Sequence, residues 1–298
     1  MPVASRVRSS DDGSDDGAER EPAKGERMTF WICSRCGVEH ETRRPVCAVC
    51  ADERELVPPD GQHWTTLEEL AAAGQSIAVE ELEPDLYGLT TVPDVGIGPT
   101  AKLVRTPAGN LLFDVPGYLD DTAVAAVQDL GGLACIVASH PHMYGVQVEW
   151  SRRLGGVPIL VAQDDADWLA RTDPAVQTWK TDLQILPGIT LTQPGGHFPG
   201  STVAHWAAGA QGRGVLLSGD TIFANPDRTS VSFMRSYPNR IPLSGAVVQR
   251  IADHVSRFEF DRLYNNFRGT VAVGARAAVR RSAERHAAWA RGDFDHLT

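Results

Sequence analysis

Apolar residues in this chain fall mostly in short runs, bounded by glycine, proline and aspartate, rather than in long stripes. Runs of that kind read as strands, with side chains repeating every two residues. Strands are predicted at Glu80–Thr91 and Lys102–Thr106, and Asn110–Asp114 follows a Pro-Ala-Gly turn as in a hairpin. Further strands are predicted at Cys135–Ser139, Pro158–Val161, Gln184–Leu186, Ile189–Thr192, Ser201–Trp206 and Gly214–Leu217. Helical spacing is found at Leu119–Leu130, which Gly131-Gly132 ends, and at Val146–Leu154, Asp164–Ala170, Gly245–Val255 and Val273–Ala290. A short helix opens at Thr65-Thr66-Leu-Glu68-Glu69, a capping-box pattern. Hairpins first and strands alternating with helices later predict a mixed α/β (α+β) fold, its sheets covered by helices. No internal repeat is visible.

The ends and the early part of the chain differ from this pattern. Residues 1–27 are rich in Ser, Asp, Gly, Glu and Arg without apolar periodicity, and are predicted to be a disordered tail. Met28 opens ordered-looking sequence and is an alternative start. Residues 28–57 hold Cys33-x-x-Cys36 and Cys47-x-x-Cys50. Each knuckle aims two thiolates at one point, and two knuckles complete a tetrahedral four-sulfur site. With Trp31 and Gly37 beside them, they resemble zinc-ribbon and rubredoxin-like knuckles. Zinc in a structural role is the expected occupant and iron the alternative. His40 is expected at the surface, because four cysteines already fill the site. Residues 58–77 read as a linker with the short helix, and 78–298 as the main domain.

Composition narrows the function. The 298 residues are 42% hydrophobic and 22% charged, as in a globular protein, with a formal charge of −10 that disfavours nucleic acid and anionic membranes. No run approaches a membrane span, and no apolar leader opens the chain, so a cytoplasmic location is expected. Five cysteines are too few for a disulfide scaffold and are expected to be reduced.

The candidate chemistry lies in three stretches. Cys135-Ile-Val-Ala-Ser-His140-Pro-His142 ends a buried strand in two histidines on one side of an extended backbone. Gly195-Gly196-His197-Phe-Pro-Gly200-Ser201 puts a third histidine in a glycine-rich loop, and Val215-Leu-Leu-Ser218-Gly219-Asp220-Thr221 ends a strand in an aspartate. Three imidazoles and a carboxylate make a four-ligand metal set.

The order of these stretches resembles the metallo-β-lactamase-fold hydrolases over about residues 78 to 270. Asn110-Leu-Leu-Phe-Asp114-Val-Pro-Gly117 is similar to the family's early strand ending in Asp-x-Gly, with one residue more. Ser139-His140-Pro-His142 matches the first half of His-x-His-x-Asp-His. Gly196–Ser201 and Ser218–Thr221 match the Gly-His-Thr-x-Gly-Ser loop and the Gly-Asp element. The resemblance implies a four-layer αββα sandwich with a metal site at one edge; with the knuckles read above, the expected fold is that sandwich with a small N-terminal four-cysteine zinc ribbon.

The chain also departs from that family. Tyr144-Gly145 stands where Asp-His continues the motif, and no histidine occurs in Tyr264-Asn-Asn-Phe-Arg268-Gly269, where a last ligand is expected. One metal position survives, on His140, His142, His197 and Asp220; the ligands of a second are gone. A single zinc on that set still brings the pKa of its water towards about 7. Tyr144 and Arg268 are the candidates to replace the second metal, beside Asp220 as a catalytic residue. Long loops often carry function. Residues 224–240 follow Asp220 directly and are expected to cover the site, with Arg235 and Arg240 gripping a substrate anion. The function expected is hydrolysis of a small-molecule ester, thioester, lactone or phosphoester by one activated water. The alternatives are a non-catalytic fold member that binds a protein partner through the ribbon and loop, and a redox protein with iron on the cysteines. Nothing in the sequence fixes the substrate or the oligomeric state.

Overall fold

The computed structural model describes residues 30–298. The tail expected at residues 1–27 and the alternative start at Met28 lie outside the described residues.

Two sheets face each other. The first has seven strands in the order Val176–Trp179, Ile159–Ala162, Cys135–Val137, Leu111–Phe113, Thr100–Val104, Leu86–Val92 and Ser76–Glu83. The second has six, in the order Leu183–Leu186, Ile189–Thr192, Val203–Trp206, Val215–Leu217, Arg262–Tyr264 and Thr270–Val271. Alternation along each strand decides the layers. Leu111, Phe113, Cys135 and Val137 face Ile189, Leu191, Val215 and Leu217 across the gap between the sheets. Their neighbours Leu112 and Ile136 point the other way, into a core with helix Asp121–Asp129 and helix Gln147–Arg153. On the far side Leu216 and Leu263 pack against helices Gly245–Val255 and Ala275–Ala290. Strands buried on both faces have to read as continuous apolar runs, and these do. The four layers are the αββα sandwich expected.

Three local expectations change. Glu80–Thr91 is two strands, Ser76–Glu83 and Leu86–Val92, because Pro84-Asp85 makes a turn in which Asp85 has φ +67°. Asp164–Ala170 is a 3-10 turn over Gln163–Trp168 instead of an α-helix. Residues 58–77 supply more than a linker: Trp64–Thr65 is the third strand of a small sheet with Glu39–His40 and Trp31–Cys33. Thr66 caps helix Leu67–Ala72 by accepting from the Glu69 amide at 3.2 Å.

The four-cysteine ribbon is welded to the sandwich. Its Ile32, Val38 and Val49 share one core with Leu103, Leu112 and Ile136 of the first sheet. Glu39 accepts from the Val148 amide at 2.6 Å and pairs with Arg171 at 2.6 Å, both side chains buried. Among the described residues no helix is long and apolar enough to cross a membrane.

Candidate metal centre

The site lies where strands of both sheets end on one edge. Leu111–Phe113 runs parallel to Cys135–Val137, and Val215–Leu217 parallel to Arg262–Tyr264, so the loops that follow them emerge together. The Thr202 amide donates to Ser139 O at 2.8 Å and ties the two sheets at that edge.

His140, His142, His197 and Asp220 converge there, one ligand atom of each within 4.8 Å of the others, and all four are buried. His140 Nε2 is 3.4 Å from Asp220 Oδ2, His197 Nε2 is 3.9 Å from the same oxygen, and His142 Nδ1 is 3.4 Å from His197 Nε2. A tetrahedral ion with nitrogen and oxygen ligands at about 2.1 Å separates them by about 3.4 Å. The residues therefore fit a metal. His140 Nε2 and Asp220 Oδ1 are buried without a hydrogen-bond partner among the described residues, as donor atoms aimed at an ion are. The free ring nitrogens are fixed from behind: Ser139 Oγ lies 2.9 Å from His140 Nδ1, and His197 Nδ1 donates to Met234 O at 3.1 Å. Burial pushes His197 down to about 4, and burial with the charges of His140 and His197 pushes His142 well below its ordinary value, so both favour the neutral imidazole that a metal requires. Burial opposes ionisation of Asp220, but the neighbouring His140, 3.4 Å away, carries its pKa below the ordinary value.

Asp114 supports this arrangement in a conformation few residues adopt, φ +65°, accepting from the Ser139 amide at 2.8 Å. Gly219, φ +53°, lets the aspartate loop approach, since a Cβ there lies 2.5 Å from Ser139 Oγ.

The cysteines form a second cluster. Cys33 and Cys50 sulfurs are 3.6 Å apart and Cys36 and Cys47 sulfurs 3.8 Å, far beyond a disulfide bond and close to the edge of about 3.8 Å for four sulfurs around one ion. Contacts with the other three cysteines and with His40 hold the Cys47 thiol far below its ordinary value. His40 is buried instead of exposed: its Nε2 sits 3.4 Å from Cys47 Sγ and its ring stands edge-on to Trp64.

Beside the histidine centre is a cavity of about 440 Å³, lined among the described residues by Arg35, Arg54, Glu55, Gly96, Ile97, His142, His197, Asp220, Phe223, Tyr237, Pro238 and Phe267. The loop after Asp220 contributes Tyr237 and Pro238 to the cavity lining; it is built of two small hairpins. The four residues expected to act in it lie elsewhere. Tyr144 is buried, with its hydroxyl donating to Asp165 O at 2.8 Å, and does not line the cavity. Asp165 in turn accepts from the Gly200 amide, so Tyr144 steadies the His197 loop from behind. Arg268 is exposed and does not line the cavity, and Asn265 and Asn266 are buried in its stead. Arg235 pairs with Glu53 of the ribbon, and Arg240 is exposed at the loop tip. Sequence reading missed Arg54 and Asn266. Arg54 Nε donates to His197 O at 2.6 Å and its guanidinium lies 4.1 Å over the Phe198 ring. Asn266 favours the charged form of Asp220, and its Nδ2 donates to Met143 Sδ in the motif loop at 3.0 Å. Neither carries a local pattern that could reveal it.

Comparison with known proteins agrees with this architecture. No family model matches the chain. Its fold is similar to the structure of VMB-1 (TM-score 0.55, 12% identity, 72% of this chain and 98% of that one). It is similar to DIM-1 metallo-β-lactamase (0.53, 15%, 70% and 98%). It is also similar to metallo-β-lactamase FIM-1 from Pseudomonas aeruginosa in its mono-zinc form (0.51, 15%, 71% and 96%). At these identities the likeness is one of fold, which is the metallo-β-lactamase fold. In sequence the chain is 43% identical to the uncharacterized protein YmaE of Bacillus subtilis (strain 168) over 265 residues, 87% of this chain and 96% of that protein. Identity at that level, across almost the whole of the relative, makes this chain a member of the YmaE family.

Proposed function

We propose that the chain is a metal-dependent hydrolase working with one metal ion, zinc, on an ester, thioester, lactone or phosphoester. The observation that supports it is the spacing of His140 Nε2, His142 Nδ1, His197 Nε2 and Asp220 Oδ2, two of whose separations are 3.4 Å. Zinc bound to such a set supplies Lewis acidity and brings the pKa of water towards about 7. The chain's own residues do the rest. Ser139 and the Met234 carbonyl orient His140 and His197. Asn266 favours the charged form of Asp220, and Ile97, Phe223 and Phe267 keep the cavity wall apolar.

A second metal position lacks its ligands, and the backbone at Gly145 does not accept one. Gly145, where the family motif has histidine, has φ +50°, and a Cβ there lies 2.3 Å from Val115 O. FIM-1 in its mono-zinc form is a neighbour of this fold with one zinc, which supports a one-metal reading. Tyr144 and Arg268 have no part in the proposed chemistry. The cysteine cluster takes a second, structural zinc, and its reduced thiols suit the cytoplasm.

Metal analysis of the purified chain tests this, with about two zinc expected per chain and one lost in His140→Ala/His142→Ala. Turnover on a panel of esters and phosphoesters should vanish in His197→Ala. One zinc, unchanged by the histidine substitutions, makes the chain a non-catalytic fold member. A red protein with thiolate-to-iron absorption makes the cysteine centre redox-active. A panel without His197-dependent turnover ends the hydrolase reading.

A further inference from the structure

The cavity beside the histidines is walled on one side by the ribbon. Arg35 sits inside the first knuckle and Arg54 just beyond the second, and both line the cavity with His142, His197 and Asp220. The segment that carries Arg54 is clamped between two loops of the sandwich. Arg54 Nε holds His197 O at 2.6 Å, and Ser236 Oγ donates to Arg54 O at 3.0 Å. Asn239 Nδ2 donates to Glu53 O at 2.9 Å and to Glu55 O at 3.1 Å. The ribbon is thus part of the site instead of an appendage to it.

The donors of the cavity are few, and most are engaged. The Tyr237 hydroxyl donates to Asp220 O at 3.0 Å and His197 Nδ1 to Met234 O at 3.1 Å. Arg54 gives Nη1 to Asp52 at 2.6 Å, and Arg35 gives Nε and Nη2 to Glu55 at 3.1 and 2.5 Å. Arg54 Nη2 and Arg35 Nη1 have no hydrogen-bond partner among the described residues. The Arg54 side chain is only 7% exposed and is held over Phe198, so its remaining donor is preorganised and largely dry. Gly96, Ile97, Phe223, Pro238 and Phe267, which complete the lining, offer no side-chain polar group. A cavity of this size with a mainly apolar body and two spare guanidinium donors suits a small molecule with one acidic end.

We infer that the ribbon supplies the substrate-recognising wall of the site, with Arg54 and Arg35 binding a carboxylate or phosphate group of the substrate. The inference rests on the hydrolytic reading above, and extends it: the substrate is an anion, and the four-cysteine unit selects it. Arg35 and Arg54 are specificity residues here, whereas the arginines of the covering loop are not.

Anion binding can be read apart from hydrolysis. Inorganic phosphate and acetate are titrated calorimetrically into the full chain and into His140→Ala, which disables the metal centre. The His140→Ala chain is expected to retain binding of one of the two, and the stronger identifies phosphate or carboxylate as the group recognised. Arg54→Met and Arg35→Met, each added to His140→Ala, are expected to weaken that binding at least tenfold and several-fold. Arg35 touches no residue outside the ribbon among its hydrogen bonds, so Arg35→Met keeps the test valid where Arg54→Met loosens the ribbon; zinc content and thermal unfolding report that loosening. With the metal centre intact, Arg35→Met should raise KM for an anionic ester and leave kcat, and leave both for the neutral ester of the same acyl group. Absence of anion binding, or binding unmoved by Arg35→Met and Arg54→Met, overturns the inference. Arginine-dependent anion binding without any ester turnover overturns only the hydrolytic reading.

Discussion

Gly145 shows how one position closes off a chemistry. A residue at φ +50° with the Val115 carbonyl 2.3 Å from its Cβ position accepts glycine alone. Restoring the family pattern by Tyr144→Asp with Gly145→His is therefore expected to add no zinc and to lower the melting temperature. Metal analysis and calorimetry on the double variant check both; a gain of one zinc would show that the loop can yield. Lys102 is another position with a strong individual effect. It is 2% exposed, and its Nζ donates to Thr100 O at 2.5 Å and Phe267 O at 2.9 Å beneath the cavity floor. Burial pushes its pKa down to about 7, with Asp114 pulling the other way. An unfolded lysine titrates near 10.4. Over about pH 7 to 10 the unfolded chain holds the proton and the folded chain does not, so stability rises with pH there. Urea unfolding across that window should show a rise in the native chain that is absent in Lys102→Met. Parallel curves for the two chains would mean that the lysine keeps its ordinary pKa.

Among the elements, the ribbon depends on an ion pair that water hardly reaches. Glu39 and Arg171 have 3% and 5% side-chain exposure, and Arg171 also pairs with Glu149 at 2.7 Å. Removing one partner strands the other, so Glu39→Ala is expected to cost about 3–5 kcal/mol. The double variant Glu39→Ala/Arg171→Ala should cost less than the two singles summed, as equilibrium unfolding would read. This is also the scale at which sequence reading reached its limit. Elements buried on both faces declare themselves as apolar runs, so the sandwich was legible. The candidate ligand clusters were legible because His140 and His142, and the paired cysteines, declare themselves through their spacing. Arg54, Asn266, Lys102 and the burial of His40 arise from the docking of one element on another, which leaves no periodicity along the chain. The same docking explains Tyr144, whose hydroxyl meets a carbonyl 21 residues away instead of the cavity.

For the whole molecule, the ribbon and the sandwich share a common core and are expected to unfold together. Ile32, Val38 and Val49 lie in the same cluster as Leu103 and Ile136, so a chain begun after Thr65 uncovers the outer face of the first sheet. Such a truncation is expected to lose its sharp thermal transition and to bind a hydrophobic dye. A truncated chain that melts cooperatively at the native temperature would show two independent domains instead.

The clamp on the Arg54 segment bears on how the protein is made. Asn239 reaches Glu53 across 186 positions of sequence, and Arg54 reaches His197 across 143. Contacts so distant along the chain form late and slow folding. During synthesis from the N-terminus, the cysteine unit leaves the ribosome first and then waits for almost the entire chain before its last neighbours arrive. A nascent or prematurely ended chain therefore has its four cysteines together but no finished cavity, which is walled in only after the segment around Asn239 has been made.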